Sequence, residues 1–407
     1  MPPSFETQHP VFVLGLFDTG LVTAQGLARH GISVVGFDCD KRSPGFFSKL
    51  FSPVLCPSPH GGDDPALLAL LKSQAKAFTK PPVLYPTSDA FVGFIARNTQ
   101  ELAKSFLFNI PEPSVAEKIL AKHTQAELAQ KAGAMVPKML LFTPETVDSL
   151  LSSCKNSTEI NKFHFPAFFK PVHGYQWQRH IKNKGMLVRS PGELRIALQN
   201  IRKFDLKAIL QEIVVGPASE QFEISLYVDT KGDISGPFVM RKWRSFPREL
   251  GTGTYGTSLI DPTLSTIAQS LALKMGIRGF ANMEFKLDAC DSTFKFIEVN
   301  PRVWQQVGLA TDCGLDLLLT QYLDLTKQQF SPVTQYQAGV HWIDPITDLL
   351  ANPSFYDWIR VFHSATSRGI LAIDDPWPAV RTIFLSRRFF GLLKALLKKT
   401  WLMLATR

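Results

Sequence analysis

Short apolar runs alternate with stretches of helical spacing over the first hundred residues. The apolar runs predict buried strands of a parallel sheet, at residues 11–16, 32–37 and 83–86. The stretches with helical spacing predict helices at residues 22–29, 65–78 and 90–98. This order predicts a doubly wound α/β layer. The turn after the first strand lacks the GxGxxG pattern and has only Gly15 and Gly20, so a structural layer is favoured over a dinucleotide site.

Asp89 follows the predicted strand at 83–86. The carboxyl end of a parallel strand is where such sheets bind ligands. An aspartate in this position also suits the N-cap of the next helix. The N-cap role is the preferred prediction.

The middle of the chain predicts a second, mixed layer. Helices are expected at residues 116–132 and 263–275, and strands at residues 165–171, 208–216, 222–228, 237–243, 280–287 and 296–300. From residue 331 onward the spacing changes and tryptophans and prolines become frequent, which indicates a separate C-terminal region.

The last two of these strands predict a hairpin with a polar face. Glu298 and Asn300 lie two apart, so both side chains point to one face of a strand. If the hairpin is symmetric about Asp291, Glu284 lies opposite Glu298. Opposed carboxylates repel each other, whereas a hard cation such as Mg²⁺ favours oxygen ligands. The hairpin therefore predicts a metal site of Glu284, Glu298 and Asn300; the alternative is an exposed hairpin with solvated charges.

Composition indicates a folded intracellular protein of two or three domains. Hydrophobic residues make up 45% and charged residues 19% of the 407 positions, which is enough apolar surface for a sizeable core. The five cysteines are scattered and form no CxxC pair, which argues against a disulfide framework or a zinc site. The sequence shows neither a signal peptide nor an apolar run long enough to span a membrane, so we expect a cytoplasmic protein.

Positive charge is concentrated at the end of the chain. Residues 376–407 hold seven basic residues and no acidic one, and so contribute +7 to the net charge of +9. The first 375 residues carry the remaining +2. A nearly neutral body argues against nucleic-acid binding. Residues 381–407 interleave cations with large apolar residues, which predicts peripheral contact with the inner face of the membrane. The alternative is a helix packed on the body or on a partner chain, as in a homodimer.

Several further residues suit a bound nucleotide. Lys170 ends an apolar strand, where its charge is costly unless it meets an anion; the alternative is a lysine whose ammonium extends to solvent at the end of the strand. The backbone of residues 211–214 could lie beside a flat base, and carboxylates and cations follow within thirty residues. The candidates are Gln211, Glu212, Ile213 and Val214 for the base, Glu220 and Glu223 for ribose, and Arg241 and Lys242 as cations.

The order Glu284…Glu298-Val299-Asn300-Pro301-Arg302 resembles the ATP-grasp superfamily, over about residues 11–325. Within it, the stretches 241–248 and 251–256 are similar to bacterial carboxylate–amine ligases of the D-aspartate ligase-like and polysaccharide-cluster kind. The resemblance implies an α/β (α+β) ATP-grasp fold. It implies a Rossmann-like pre-ATP-grasp domain at 1–112, an ATP-grasp domain at 113–330 with a lid subdomain at about 140–215 and a magnesium-binding core at about 216–330, and a C-terminal helical extension at 331–407.

The resemblance also implies an activity and a set of roles. Lys122 and Lys170 would contact the phosphates of ATP, and residues 211–214 would form the adenine hinge. Glu284, Glu298 and Asn300 would hold Mg²⁺ or Mn²⁺. Arg302, Arg241 and Lys242 would stabilise an acylphosphate that an amine attacks, with release of ADP and phosphate. The carboxylate and amine, small or lipid-linked, are left open.

One departure from the family pattern keeps alternatives open. The loop at 172–180 has a single glycine where many relatives have a glycine-rich lid, and it offers Arg179, His173 and His180 instead. A non-catalytic ATP-binding regulatory or scaffold protein is one alternative. A carbamoyl-phosphate-type kinase is another, which the lack of a glutaminase segment or second synthetase copy makes less favoured.

Overall fold

The computed structural model describes residues 5–60, 63–152, 160, 163–172, 185–247, 251–352 and 354–385. The predicted lid side chains of His173, Arg179 and His180, and the tail from residue 386 onward, lie outside the described residues.

Strands and helices alternate through the described ranges. The strands are β1 (Val11–Leu14), β2 (Val34–Asp38), β3 (Ser52–Leu55), β4 (Val83–Pro86), β5 (Met139–Phe142), β6 (Ala167–Pro171), β7 (Met186–Val188), β8 (Ala208–Glu212), β9 (Gln221–Val228), β10 (Ile234–Phe246), β11 (Thr252–Leu259), β12 (Gly279–Leu287), β13 (Phe294–Asn300) and β14 (His341–Ile343). The helices are α1 (Asp18–Arg29), α2 (Asp64–Ala75), α3 (Asp89–Arg97), α4 (Thr99–Leu102), α5 (Pro113–Leu120), α6 (Lys122–Lys131), α7 (Pro144–Ser152), α8 (Pro191–Lys203), α9 (Pro262–Lys274), α10 (Val307–Asp312), α11 (Leu317–Leu325), α12 (Pro345–Ala351), α13 (Phe355–Ser364) and α14 (Trp377–Leu385).

The first sheet is parallel, with the strand order β3–β2–β1–β4. Val11 and Val13 pack into one apolar cluster, whereas Phe12 and Leu14 pack into another, so the central strand is covered on both faces. This arrangement confirms the predicted α/β layer. The predicted start of the first helix at residue 22 is wrong, because the helix already begins at Asp18.

Gly15 and Gly20 permit a close backbone approach in this turn. Gly15 has a φ of +98°, and a Cβ on Gly20 would lie 1.8 Å from the carbonyl oxygen of Gly15. Gly20 therefore lets α1 start directly against the end of β1, which explains both glycines without a nucleotide.

The second sheet has the strand order β13–β12–β9–β10–β11–β14. Its last strand comes from the C-terminal region, where Tyr255 pairs with Ile343 and Thr257 with His341. The predicted helical extension at 331–407 therefore contains a strand besides its helices α12, α13 and α14. Periodicity missed β14 because three residues are too few to show alternation.

A buried carboxylate ties the C-terminal region to β10. Asp348 is fully buried and accepts hydrogen bonds from Nε and Nη2 of Arg244 at 2.9 and 2.8 Å. The hydroxyl of Thr254 donates a third, at 2.7 Å. A buried charge requires such a set of partners, so these contacts depend on one another.

The third sheet, of order β5–β8–β6–β7, is antiparallel in each of its described pairings. Phe169 and Leu210 on one face pack into an apolar cluster with α7 and α8. Because side chains alternate along a strand, Lys170 and Gln211 lie on the opposite face.

The chain divides into two compact units. The larger one comprises Met1–Ala116, Pro217–Met283 and Asn300–Arg407, and the smaller one Glu117–Gly216 and Glu284–Val299. Each unit combines separate segments of the chain. The predicted domain boundaries near residues 112 and 330 remain a prediction.

Two expectations from composition concern chemistry rather than fold. The four described cysteines, Cys39, Cys56, Cys290 and Cys313, are free thiols. In the part of the chain that the structure describes, no helix is both long and apolar enough to span a bilayer.

We expect Gly20→Ala to destabilise the protein by about 1–3 kcal/mol, because the added methyl group overlaps the Gly15 carbonyl oxygen. The shift of the urea unfolding midpoint measures this. The matched control is Gly192→Ala in α8, where the nearest atom to the new methyl group is Ser190 Oγ at 3.7 Å and the change should stay within about 0.5 kcal/mol. Equal midpoints for both variants would contradict the close-approach explanation.

Candidate active site

Lys122 lies at the start of a helix and faces a carboxylate. The helix predicted over 116–132 is divided at Ala121, which has extended φ and ψ angles of −93° and 115°, so that Lys122 becomes the first residue of α6. Its Nζ lies 3.1 Å from Glu298 Oε2 on β13. The motif order had placed both residues at one nucleotide site, and the structure brings them together.

Gln125, one turn further along α6, holds the backbone beside Glu298. Its buried side chain donates to the carbonyl oxygen of Val299 at 2.5 Å and accepts from the amide of the same residue at 3.1 Å. One amide thus satisfies both backbone groups that separate Glu298 from Asn300. Sequence reasoning missed Gln125; its spacing of three from Lys122, which places both on one helix face, was the available signal.

Lys170 belongs to the same group of charges. Burial lowers its pKa to about 8, since the ammonium is partly removed from water. The negative charges of Glu298 and Glu284 oppose this shift, and the positive charge of Lys122 adds to it. Two lysines and two carboxylates of the smaller unit therefore share one electrostatic environment; we call these four residues the lysine–glutamate cluster.

The hairpin that carries the two glutamates is less regular than predicted. The amide of Asp288 donates to the carbonyl oxygen of Thr293 at 2.9 Å, so the turn is not centred on Asp291. Phe296 and Val299, three apart, are both fully buried, which interrupts the strict alternation of β13. The premise that the hairpin is symmetric about Asp291, which placed Glu284 opposite Glu298, is therefore wrong. Both carboxylates nevertheless raise the pKa of Lys170.

The predicted adenine hinge adjoins a cavity in the smaller unit. Glu212, Ile213 and Val214 line a space of about 550 Å³ together with residues of α6 and of the β12–β13 hairpin. The amide of Glu212 donates to the carbonyl oxygen of Lys138. Gln211 is buried, and its Oε1 has no hydrogen-bond partner among the described residues.

Glu223 and Lys242 form a buried ion pair inside the larger unit. Their charged atoms lie 3.4 Å apart, and the two residues are 5% and 2% exposed. Asn282 donates to Glu223 at 3.3 Å and to Ser225 at 2.9 Å. Asn282, Glu223 and Lys242 thus form a polar row across β12, β9 and β10. Glu223 is engaged with Lys242 here, which differs from the expected ribose contact.

Glu220 contacts a different predicted residue. It pairs with Arg241 Nη2 at 2.5 Å, and the guanidinium also lies 4.4 Å from the ring centre of Trp243. The three cations at 241–244 therefore pair with different carboxylates, because strand alternation and the register shift between Lys242 and Arg244 point their side chains in different directions.

Arg302 is held by Asp89. Its Nε donates to Asp89 Oδ1 at 2.8 Å, Nη1 to the carbonyl oxygen of Val303 at 3.0 Å, and Nη2 to Asn300 Oδ1 at 3.4 Å. The predicted N-cap role of Asp89 is wrong: Ser88 caps α3 by accepting from the amide of Phe91, and Asp89 is the first helical residue.

The predicted metal ligands are hard oxygen donors. Glu284 and Glu298 offer carboxylates and Asn300 an amide oxygen, which is the donor type that Mg²⁺ prefers. Within the described ranges, no group of three or more His, Cys, Asp and Glu side chains is arranged to hold a metal ion. Two carboxylates and one amide are not a group of this kind, so the magnesium site of Glu284, Glu298 and Asn300 stays a prediction.

Comparisons with known proteins bear on this geometry. Residues 261–323 match the family model described as carbamoyl-phosphate synthase L chain, ATP binding domain. The D-aspartate ligase of Enterococcus faecium (strain Aus0004) is 24% identical over 309 residues, which cover 72% of this chain and 72% of that protein. The matched family segment includes Glu284, Glu298 and Asn300.

Solved structures show the same architecture. N5-carboxyaminoimidazole synthetase from Staphylococcus aureus, complexed with ADP, aligns with a TM-score of 0.61 at 15% identity and covers 81% of each chain. L-amino acid ligase from Bacillus licheniformis aligns with a TM-score of 0.57 at 16% identity, over 80% of this chain and 76% of that one. The chain has the ATP-grasp fold, which confirms the resemblance drawn from its motifs.

The shared electrostatics of the lysine–glutamate cluster predict opposite pKa shifts in two variants. In metal-free buffer, Glu298→Gln should lower the pKa of Lys170 below about 8, and Lys122→Met should raise it, since each removes a charge of opposite sign. Titration of the lysine ¹³Cε resonances measures both, with Lys170→Arg identifying the signal. Shifts in the same direction would show that the two charges do not act on Lys170.

Proposed function

We propose that the chain is an ATP- and Mg²⁺-dependent ligase that activates a carboxylate as an acylphosphate for attack by an amine, releasing ADP and phosphate. The observation that carries the proposal is the lysine–glutamate cluster of Lys122, Lys170, Glu284 and Glu298. A sequence relative is named a D-aspartate ligase and a protein of the same fold an L-amino acid ligase, which supports an acid–amino-acid ligase.

The cluster has the charges that a magnesium–nucleotide complex requires. Lys122 Nζ lies 3.1 Å from Glu298 Oε2 and balances its charge. With ligand, the lysines would turn to phosphate oxygens and the carboxylates, with Asn300, would hold Mg²⁺ or Mn²⁺. The bound metal would neutralise charge on the transferring phosphoryl group. The internal charge pairs of the cluster would thus be replaced by pairs with the opposite charges of one ligand.

The position of Lys122 favours an anion over a purely structural pair. A lysine at the first position of a helix is unfavourable, because the positive end of the helix dipole lies there. Ala121 provides no side-chain cap for α6. A phosphate group would meet both the ammonium and this helix end.

The hinge supplies groups that suit an adenine base. Gln211 Oε1 is a buried acceptor without a partner among the described residues, and the exocyclic amino group of adenine is a donor. The amide of Glu212 is already bonded to Lys138, so Ile213 and Val214 remain for the ring nitrogens.

In the reaction, a carboxylate oxygen of the acid attacks the γ-phosphorus and the bond to the β-phosphate oxygen breaks. The amine then attacks the acyl carbon, its proton is lost, and the C–O bond to phosphate breaks. Arg302, fixed beside Asn300, would stabilise the negative charge of the acylphosphate. Arg241 and Lys242 are further cations for this step, and Glu223 would hold Lys242 in place.

We assign this activity to the cytoplasm of a bacterium, in line with the organisms of the relatives named above. The tail would add peripheral contact with anionic membrane. Ile373 and Trp377, just before the basic segment, are 94% and 59% exposed, so apolar side chains already face solvent there.

Glu298→Gln should lower Mg²⁺-dependent ADP release at least about 100-fold, because the change removes a metal-binding charge and the partner of Lys122. The assay uses pooled amino acids, with bicarbonate and ammonia as a second arm that detects a carbamoyl-phosphate-type kinase. The matched control is Glu101→Gln, which should keep full activity. Glu101 forms exposed ion pairs with Lys72 and Lys104.

Full Mg²⁺-dependent turnover in Glu298→Gln would show that the assignment of Glu298 to the metal site is wrong. A wild-type chain that binds ATP but releases no ADP in either arm would instead support a non-catalytic ATP-binding protein.

Removing residues 386–407 should abolish sedimentation with phosphatidylglycerol vesicles, and about 0.5 M salt should weaken that sedimentation in the full chain. The matched variant Lys394→Glu, Lys398→Glu, Lys399→Glu keeps the apolar side chains and reverses three charges. Sedimentation that is unchanged by truncation would exclude the tail as the membrane contact.

A further inference from the structure

We propose that Asp89 is a positioning residue for Arg302, and that through it the N-terminal parallel sheet takes part in the ligase reaction. The inference rests on the proposed function, since it assumes that Arg302 acts on the acylphosphate. Asp89 itself is not proposed to touch the reacting atoms.

The place of Asp89 in the sheet is the first argument. In the order β3–β2–β1–β4, β2 and β3 are added on one side of β1 and β4 on the other, so the strand order switches between the parallel neighbours β1 and β4. The carboxyl ends of strands at such a point are where doubly wound sheets place functional groups. Asp89 follows the carboxyl end of β4.

The backbone that carries Asp89 is firmly fixed. The hydroxyl of Thr87 donates to the carbonyl oxygens of Leu14 and Gly15 at 2.9 and 3.1 Å, and its amide donates to Leu14 at 3.0 Å. Ser88 then caps α3. These bonds join the ends of β1 and β4, so the first residue of α3 has little freedom.

The contacts of Arg302 show that the fixed Asp89 orients its guanidinium. All three guanidinium nitrogens are engaged: Nε with Asp89, Nη1 with the carbonyl oxygen of Val303 and Nη2 with Asn300 Oδ1. The last two partners lie next to Arg302 in the sequence and move with it. Asp89, 213 residues away, is the partner that ties the guanidinium to a different part of the fold.

The energetics favour orientation over stability. Asp89 and Arg302 side chains are 43% and 22% exposed, and ion pairs of that exposure contribute little to stability. A free arginine side chain samples many rotamers, and a fixed partner removes that freedom before substrate binds. A misplacement of about 1 Å can reduce a rate about 100-fold.

Asp89→Asn tests the proposal, with Asp64→Asn as the matched control. Asp64 is also in the first turn of a helix of the same layer, and its Oδ2 lies 2.8 Å from Nε of Arg97. We expect Asp89→Asn to lower kcat about 10- to 100-fold with the affinity for ATP unchanged within about twofold, and Asp64→Asn to leave kcat unchanged. Asp89→Glu should restore part of kcat.

A second readout separates this inference from the proposed function. In ¹H–¹⁵N spectra the Nε–H signal of Arg302, assigned with Arg302→Lys, should be protected from solvent exchange in the wild type and in Asp64→Asn, but not in Asp89→Asn. An unchanged kcat in Asp89→Asn, or an unchanged Nε–H signal, would overturn the positioning role. If the wild type releases no ADP with any acid and amine, the proposed function fails, and the Nε–H signal alone decides whether Asp89 holds Arg302.

Discussion

A group of partly buried charges that balance one another is the constraint on which the smaller unit depends. Lys122, Lys170, Glu284 and Glu298 come from three strands and a helix, and each partly buried charge is offset by one of opposite sign. Gln125 fixes the backbone of β13 next to Glu298, because its side-chain amide bonds to both the carbonyl oxygen and the amide of Val299. Lys122 and Gln125, one turn apart on α6, thus contact the carboxylate of Glu298 and the backbone of Val299.

Much of this arrangement follows from the sequence. Apolar runs and alternation place β1, β4, β9 and β12 within a few residues, since each strand buries at least one face. The motif order relates Lys122 to Glu298 across the chain. Gln125 escapes such reasoning because a glutamine on a helix resembles many solvated ones, and its partner is a backbone unit whose approach depends on tertiary packing.

Charged runs are where sequence reasoning is weakest. The segment 241–244 reads as one set of cations, yet Arg241, Lys242 and Arg244 each pair with a different carboxylate. Alternation predicts that neighbours diverge, but the register shift near Trp243 and the distant origin of Asp348 are not local properties. Asp89 is similar: its capping role is a local expectation, whereas its actual partner is set by how the chain folds back.

The bond between Arg244 and Asp348 has a consequence for synthesis of the chain. The two residues are 104 positions apart, so translation at about 5–20 residues per second makes the arginine about 5–20 s before its carboxylate. The edge of the second sheet also awaits β14, which is made over the same interval. A β10 strand that forms on the ribosome would therefore lack the carboxylate of Asp348 beside Arg244 and the pairing of β14 at the sheet edge until both are made. Nascent chains stalled before residue 348 would be the species that a chaperone meets.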